Sequence, residues 1–309
     1  MAETLAIKAD FERFDEWTEA FRPGNLELVH WDDLKAGQPL DYALVWYPEP
    51  GALHRHPGLK IIFSVGAGLD HLVGENILPP GIPVVRMVET ALTLGMAEYV
   101  VYHVLRHHRF MPQYEQFQRD RAWEEILQIP ANQRTVGILG MGVLGTACAQ
   151  ALMPFGFSII GWSRTEKRLE GVEHYHGADQ LDRMISRCDY LVCLLPYTRA
   201  TRHILRREHL RHLPEGAVLI NVGRGGLQVE DDLIEMLDSG HLGAAVLDVF
   251  EKEPLPPDNP LWSHPRVTIT PHVASMTLPE TSARHVLANI ERCRAGLPLT
   301  HVADMARGY

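Results

Sequence analysis

The segment Val136-Gly137-Ile138-Leu139-Gly140-Met141-Gly142-Val143-Leu144-Gly145 restricts the fold more than any other stretch of the chain. An apolar run of strand length leads into G-x-G-x-x-G, and residues 147–153 continue with helical character. Strand, glycine turn and helix in that order open a dinucleotide-binding unit. Gly140 permits the tight turn, Gly142 lets the backbone approach a pyrophosphate, and Gly145 allows close helix–strand packing. The helix N-terminus offers unpaired N–H groups and a partial positive charge to the phosphates. Gly140, Met141, Gly142, Val143, Leu144 and Gly145 are therefore the candidate phosphate cradle.

Further β-rich runs follow at 158–161, 190–195, 217–222, 244–249 and 267–270, mostly separated by helical segments. Near-continuous apolar strands alternating with helices indicate a parallel sheet buried on both faces. Upstream, shorter runs at 42–47, 60–64 and 84–85 indicate a second, smaller α/β unit. Helical spacing covers 97–110, with a second polar and aromatic helix over 113–125, and a last helix spans about 280–295. That last helix is expected to return to the first unit. The expected fold is α/β, with two Rossmann-like domains built on parallel sheets. Residues 1–96 with 276–309 would form a discontinuous substrate domain, 97–275 the nucleotide domain, and the active site would lie in the cleft between them.

Composition removes several function classes. Against 29 Lys and Arg stand 39 Asp and Glu, a net charge of −10, which disfavours nucleic acid and anionic membranes as partners. The cationic stretches 106–109 and 202–212 read as solvated helix faces. Cys148, Cys188, Cys193 and Cys293 form neither a C-x-x-C nor a disulfide framework, so no metal is expected. The first ten residues show no secretory leader and no window is apolar enough to span a membrane, which points to the cytoplasm.

A dinucleotide unit usually carries an acid about 20 residues beyond its glycines, at the end of the second strand, to accept from a ribose 2′-hydroxyl. Here Ser163, Arg164 and Thr165 occupy that place, with Lys167 and Arg168 close behind. An aspartate would repel a 2′-phosphate, whereas serine and arginine can bind one by charge-assisted hydrogen bonds. NADP(H) is thus expected over NAD(H).

Three further strands each end on a polar residue. Arg224 follows Val218-Leu219-Ile220-Asn221-Val222, Glu253 follows Val246-Leu247-Asp248-Val249-Phe250, and His272 follows Val267-Thr268-Ile269-Thr270-Pro271. Carboxyl ends of parallel strands share one rim, where ligands bind. Reducing a carbonyl by hydride builds negative charge on oxygen, so a positioned acid and a cation are needed. His272 suits the acid, Glu253 its orienting partner, and the planar fork of Arg224 suits a carboxylate beside the carbonyl.

These residues, together with Leu194-Leu195-Pro196-Tyr197-Thr198, Asn221 to Gly225, Leu247 to Leu255 and Thr270-Pro271-His272, resemble the D-isomer-specific 2-hydroxyacid dehydrogenase family. Segments 41–46, 255–257, 260–262, 265–273 and 306–309 resemble its members that reduce glyoxylate and hydroxypyruvate. The resemblance implies that His272 is the acid/base, Glu253 its partner and Arg224 the substrate anchor. It also implies that backbone N–H groups of Val65, Gly66 and Ala67 hold the substrate carboxylate and that Trp46 lines the pocket. Leu195, Pro196, Val222, Gly223 and Asp248 would join the cofactor site, and the 97–110 helix would mediate a homodimer. Gly223 stands where the family often has alanine, a change expected to loosen packing. The implied activity is NADPH-dependent reduction of a short 2-oxo acid to its hydroxy acid. A reductase of another 2-oxo acid, such as phenylpyruvate, and a dinucleotide-sensing scaffold without catalysis are the alternatives.

Overall fold

Alternate residues along the apolar runs of the chain feed two different cores, and that alternation accounts for the architecture. Tyr190, Val192, Val218, Ile220, Ala244 and Val246 enter one core, while Leu191, Cys193, Leu219, Ala245 and Leu247 enter the other. A strand whose neighbours on both faces are apolar must be covered by helices on both faces. The computed structural model describes residues 2–9 and 14–305, so the 306–309 segment that contributes to the family resemblance lies outside the described residues. The chain divides into two units, Met1–Leu92 with Met276–Tyr309, and Thr93–Ser275.

In the first unit, strand β1 (Glu3–Lys8), helix α1 (Phe14–Phe21) and strands β2 (Leu26–His30), β3 (Tyr42–Val45), β4 (Ile61–Ser64) and β5 (Val84–Val85) follow in chain order. The strands form one parallel sheet in the order β2-β1-β3-β4-β5. β3 and β4 are buried at every residue.

Helix α2 (Thr90–His108) starts before the sequence pattern suggests, because Glu89 caps it: its carboxylate oxygens accept from the Ala91 and Leu92 N–H groups, each at 2.7 Å. The second unit continues with α3 (Met111–Asp120), β6 (Thr135–Leu139), α4 (Val143–Leu152), β7 (Ser158–Ser163), β8 (Val172–His176), α5 (Leu181–Ile185), β9 (Tyr190–Cys193), α6 (Arg207–Leu210), β10 (Ala217–Asn221), α7 (Glu230–Asp238), β11 (Leu242–Leu247) and β12 (Val267–Ile269). Its seven strands order as β12-β11-β10-β9-β6-β7-β8, all parallel. The order reverses between β6 and β9, the switch point at which open α/β sheets bind ligands. α2 and α4 supply one core, and α5, α6 and α7 the other. The last helix, α8 (Pro279–Arg294), belongs to the first unit and packs against α1. Among the described residues no helix is long and apolar enough to cross a membrane.

Candidate active site

The glycine turn after β6 is built by close approach. Gly140 has φ +105°, and a Cβ there would lie 2.8 Å from the Leu194 carbonyl oxygen. A Cβ on Gly145 would lie 2.0 Å from the Gly140 carbonyl oxygen, so α4 can start this near the turn only with glycine. A methyl group on Gly142, by contrast, would meet nothing within 4 Å. Gly142, the N-cap of α4, has no side chain with which to cap the helix. An uncapped helix start behind an open glycine matches what a pyrophosphate requires. The backbone of Leu194 and Leu195, just after β9, forms the adjoining wall. Val222, whose N–H donates to the Cys193 carbonyl at 3.1 Å, extends it.

At the end of β7, Ser163 is 9% exposed, and its hydroxyl donates to the Thr165 carbonyl at 2.8 Å. Arg164 and Thr165 are exposed beside it, so the loop presents a hydroxyl and a guanidinium where many dinucleotide sites present a carboxylate. The Lys167 ammonium donates to the Met141 carbonyl in the glycine turn. Arg168 lies 3.8 Å from Glu166.

The three strand ends are adjacent. Register pairs Asn221 with Leu247 and Leu247 with Ile269, so the turns after β10, β11 and β12 leave the sheet at one level. Asn221 and Gln228, both fully buried, knit the first turn. The Asn221 amide donates to the Arg224 carbonyl at 3.1 Å and to Gln228 Oε1 at 2.9 Å, and Asn221 Oδ1 accepts from the Gly223 N–H at 3.1 Å. A Cβ on Gly225 would lie 1.8 Å from the Phe250 carbonyl carbon, so the Arg224 turn rests directly on the backbone leading to Glu253. Gly223 is equally confined: a Cβ would lie 3.0 Å from the Leu195 carbonyl oxygen and 2.7 Å from Leu227 Cδ1. The packing is therefore tight where the sequence suggested loosening.

Glu253 Oε2 and His272 Nδ1 are 2.8 Å apart, and Glu253 Oε1 accepts from the Phe250 N–H at 2.9 Å. Burial would raise the Glu253 carboxyl, but hydrogen bonds from His272 and Phe250 and the charges of His272 and Arg224 outweigh it and hold it below the usual carboxylate range. An ionised carboxylate only accepts, so Nδ1 of His272 carries the proton toward Glu253 and Nε2 is left for chemistry. His272 sits at φ +54°, a left-handed conformation that is costly for a non-glycine residue.

Asp248, 1% exposed, holds that conformation in place. Its carbonyl accepts from the His272 N–H at 2.9 Å. Its carboxylate accepts from the Thr270 hydroxyl at 2.6 Å and from the Val273 and Ala274 N–H groups at 2.8 and 2.9 Å. Since Thr270 spends its proton on Asp248, the Tyr99 hydroxyl donates to Thr270, at 2.6 Å. Burial raises the Asp248 carboxyl above its ordinary range against the pull of these donors. The family resemblance assigns Asp248 to the cofactor; within the fold its oxygens serve the loop that carries His272. Sequence reasoning gives no positioning role to Asn221 and Thr270, which it names only within motifs, and misses Gln228 and Tyr99, although buried polar residues beside a strand end are the signal for such roles.

In the first unit the loop after β4 has its carbonyls tied down. Ser64 Oγ donates to the Gly66 carbonyl at 2.7 Å, and Thr277 Oγ1 donates to the Val65 carbonyl at 2.8 Å. The Val65 N–H donates to the Val45 carbonyl at 3.1 Å, so it is already used within the sheet. This removes Val65 from the expected three-residue donor set. A Cβ on Gly66 would lie 2.7 Å from Trp46 Cζ3, so the loop backbone rests on the indole, which also packs on His71 at 4.2 Å between ring centroids.

The 106–109 stretch is not the solvated face that the charge pattern suggests. Arg106 pairs with Glu115 at 2.6 Å, and His108 is buried against Phe157 and Tyr190. Burial pushes the His103 and His107 imidazoles down to about 4. A groove of about 750 Å³ between α2, α3 and residues 125–128 shares no residue with the strand-end cluster.

Comparison with known proteins bears on this geometry. The family profile described as D-isomer specific 2-hydroxyacid dehydrogenase, NAD binding domain, matches residues 101–274. A glyoxylate/hydroxypyruvate reductase A of Yersinia enterocolitica is 42% identical over 277 residues, covering 88% of each chain. A D-isomer specific 2-hydroxyacid dehydrogenase from Xanthobacter autotrophicus Py2, solved with NADPH and MES, superposes with a TM-score of 0.96 at 40% identity over 100% of both chains. An NADPH-dependent glyoxylate/hydroxypyruvate reductase from Sinorhizobium meliloti, solved with NADP and sulfate, has a TM-score of 0.94 at 40% identity and covers 99% of this chain and 100% of its own.

Proposed function

The chain belongs to the D-isomer-specific 2-hydroxyacid dehydrogenase family, and on that footing we propose that it is an NADPH-dependent reductase of short 2-oxo acids, taking glyoxylate to glycolate and hydroxypyruvate to D-glycerate. The observation that carries the reading is the Glu253–His272 pair, 2.8 Å apart, in the turns after β11 and β12, with Arg224 in the turn after β10 on the other side of β11.

Bound NADPH supplies the hydride to the carbonyl carbon. His272 Nε2 donates a proton to the carbonyl oxygen as negative charge develops there, while Glu253 steadies the resulting change of charge on the ring. Arg224 holds the oxygen and the neighbouring carboxylate in line through its planar fork. The N–H groups of Gly66 and Ala67 take the carboxylate, and Trp46 bounds the space for the C3 substituent. The 2′-phosphate falls to Ser163, Arg164 and Thr165. This assignment is tested by following NADPH absorbance with glyoxylate and with hydroxypyruvate. kcat/KM should exceed that with NADH, and Ser163→Asp should cut the NADPH value roughly tenfold, the effect of about 1.4 kcal/mol of repulsion. Equal or better use of NADH by the unaltered enzyme would refute the cofactor assignment, and no oxidation with either acid would refute the activity.

We also propose a homodimer through α2, α3 and the segment that follows them. Trp123 is 96% exposed, Leu127 90% and Tyr102 59%, a concentration of large apolar side chains that a second copy would cover. Sedimentation at micromolar protein should give twice the chain mass, and a monomer would refute it. Free Cys148, Cys188, Cys193 and Cys293 suit a reducing compartment, in keeping with a cytoplasmic enzyme.

A further inference from the structure

The loop assigned to the 2′-phosphate is braced by a residue on the edge strand behind it. His174 lies on β8, and its Nε2 is 2.9 Å from Ser163 Oγ. The Lys167 backbone N–H donates to its Nδ1 at 3.4 Å. These contacts fix the state of the ring. Ser163 has one hydroxyl proton and spends it on the Thr165 carbonyl, so Nε2 must donate to Oγ. A backbone N–H can only donate, so Nδ1 must accept and carry no proton. The ring is therefore the neutral Nε2–H tautomer, bridging both ends of the turn that runs from Ser163 to Lys167. Burial, together with the charges of His176 and Lys167, lowers its proton affinity despite Glu166, which agrees with a neutral ring.

We propose that His174 is a positioning residue of the 2′-phosphate site: its imidazole holds the Ser163 hydroxyl and the Lys167 end of the loop in the shape that receives the phosphate. The proposal rests on the assignment of NADP(H) to the 163–165 loop. A phosphate dianion needs donors. When Ser163 turns its proton from Thr165 to the phosphate, its oxygen stays anchored by the Nε2–H bond. Without that bond, the hydroxyl and the loop must be ordered at the moment of binding, at a cost in affinity for the phosphate specifically.

The test is titration calorimetry of the intact protein with 2′,5′-ADP and with 5′-AMP, which differ by the phosphate in question. The unaltered protein should bind 2′,5′-ADP more tightly. His174→Phe keeps the ring volume but removes both hydrogen bonds, and should reduce the ratio of the two affinities about fivefold, the scale of one lost hydrogen bond. His174→Gln, whose carboxamide N–H reaches Ser163, should restore most of the ratio. An unchanged ratio in His174→Phe, or a Gln variant no better than Phe, overturns the proposal. No preference for 2′,5′-ADP in the unaltered protein overturns the NADP(H) assignment and this inference with it, and so is distinguishable from failure of the inference alone. A readout independent of variants is the imidazole ¹⁵N spectrum. His174 should show the Nε2–H tautomer and shift with saturating 2′,5′-ADP but not with 5′-AMP; identical responses would also overturn the proposal.

Discussion

Replacing His272 with asparagine is expected to lower kcat by roughly 10²–10⁴-fold, the usual worth of a positioned general acid. Asparagine is a better probe than alanine, because the residue sits at φ +54° and asparagine tolerates the left-handed region. The backbone, clasped by the Asp248 carbonyl, would then stay as it is while the proton donor is lost. Steady-state rates with glyoxylate, alongside the thermal midpoint of unfolding, check this. Turnover within tenfold of the unaltered enzyme would reassign the acid. Glu253→Gln should act in the same direction through the ring it orients. Because Glu253 is held below the usual carboxylate range, its contribution to stability is complete above the ordinary pKa of about 4.3. That contribution is lost only as pH falls through the lower folded-state value.

The second large effect is expected at Arg224. Arg224→Ala should reduce kcat/KM for a 2-oxo acid by about 10²–10³-fold, the scale of removing one donor aimed at a developing oxyanion. Arg224→Lys should recover only part of this, since an ammonium keeps the charge but loses the two-pronged geometry. The turn should survive either change, because Asn221 bonds the Arg224 carbonyl and Gln228 braces Asn221; the guanidinium also donates to the Gly223 carbonyl at 2.8 Å, so the thermal midpoint is read beside the rates. Measured kcat/KM within tenfold for Arg224→Ala would remove it from the site.

The strands that position these residues are legible because β9, β10 and most of β11 are apolar on both faces, which leaves an unbroken run in the sequence. β1, β2 and β8 are not. β2 and β8 lie at sheet edges, and their residues are largely half-exposed, so Leu26–His30 and Val172–His176 show no such run. Periodicity alone starts α2 too late because Glu89 sits outside the apolar pattern, and its capping role depends on side-chain geometry.

By itself the sequence determined which chemical groups stand at which strand ends: glycines after β6, a serine and an arginine in place of an acid after β7, and Arg224, Glu253 and His272 after three further strands. Those placements follow from local periodicity and turn chemistry, which neighbouring residues encode. Only the tertiary structure decided how each group spends its donors and acceptors. It gave Asp248 to the His272 loop, took the Val65 N–H for the sheet and set His174 behind Ser163. A hydrogen bond is allotted by distance in space, often between groups many residues apart, and each donor can be spent only once.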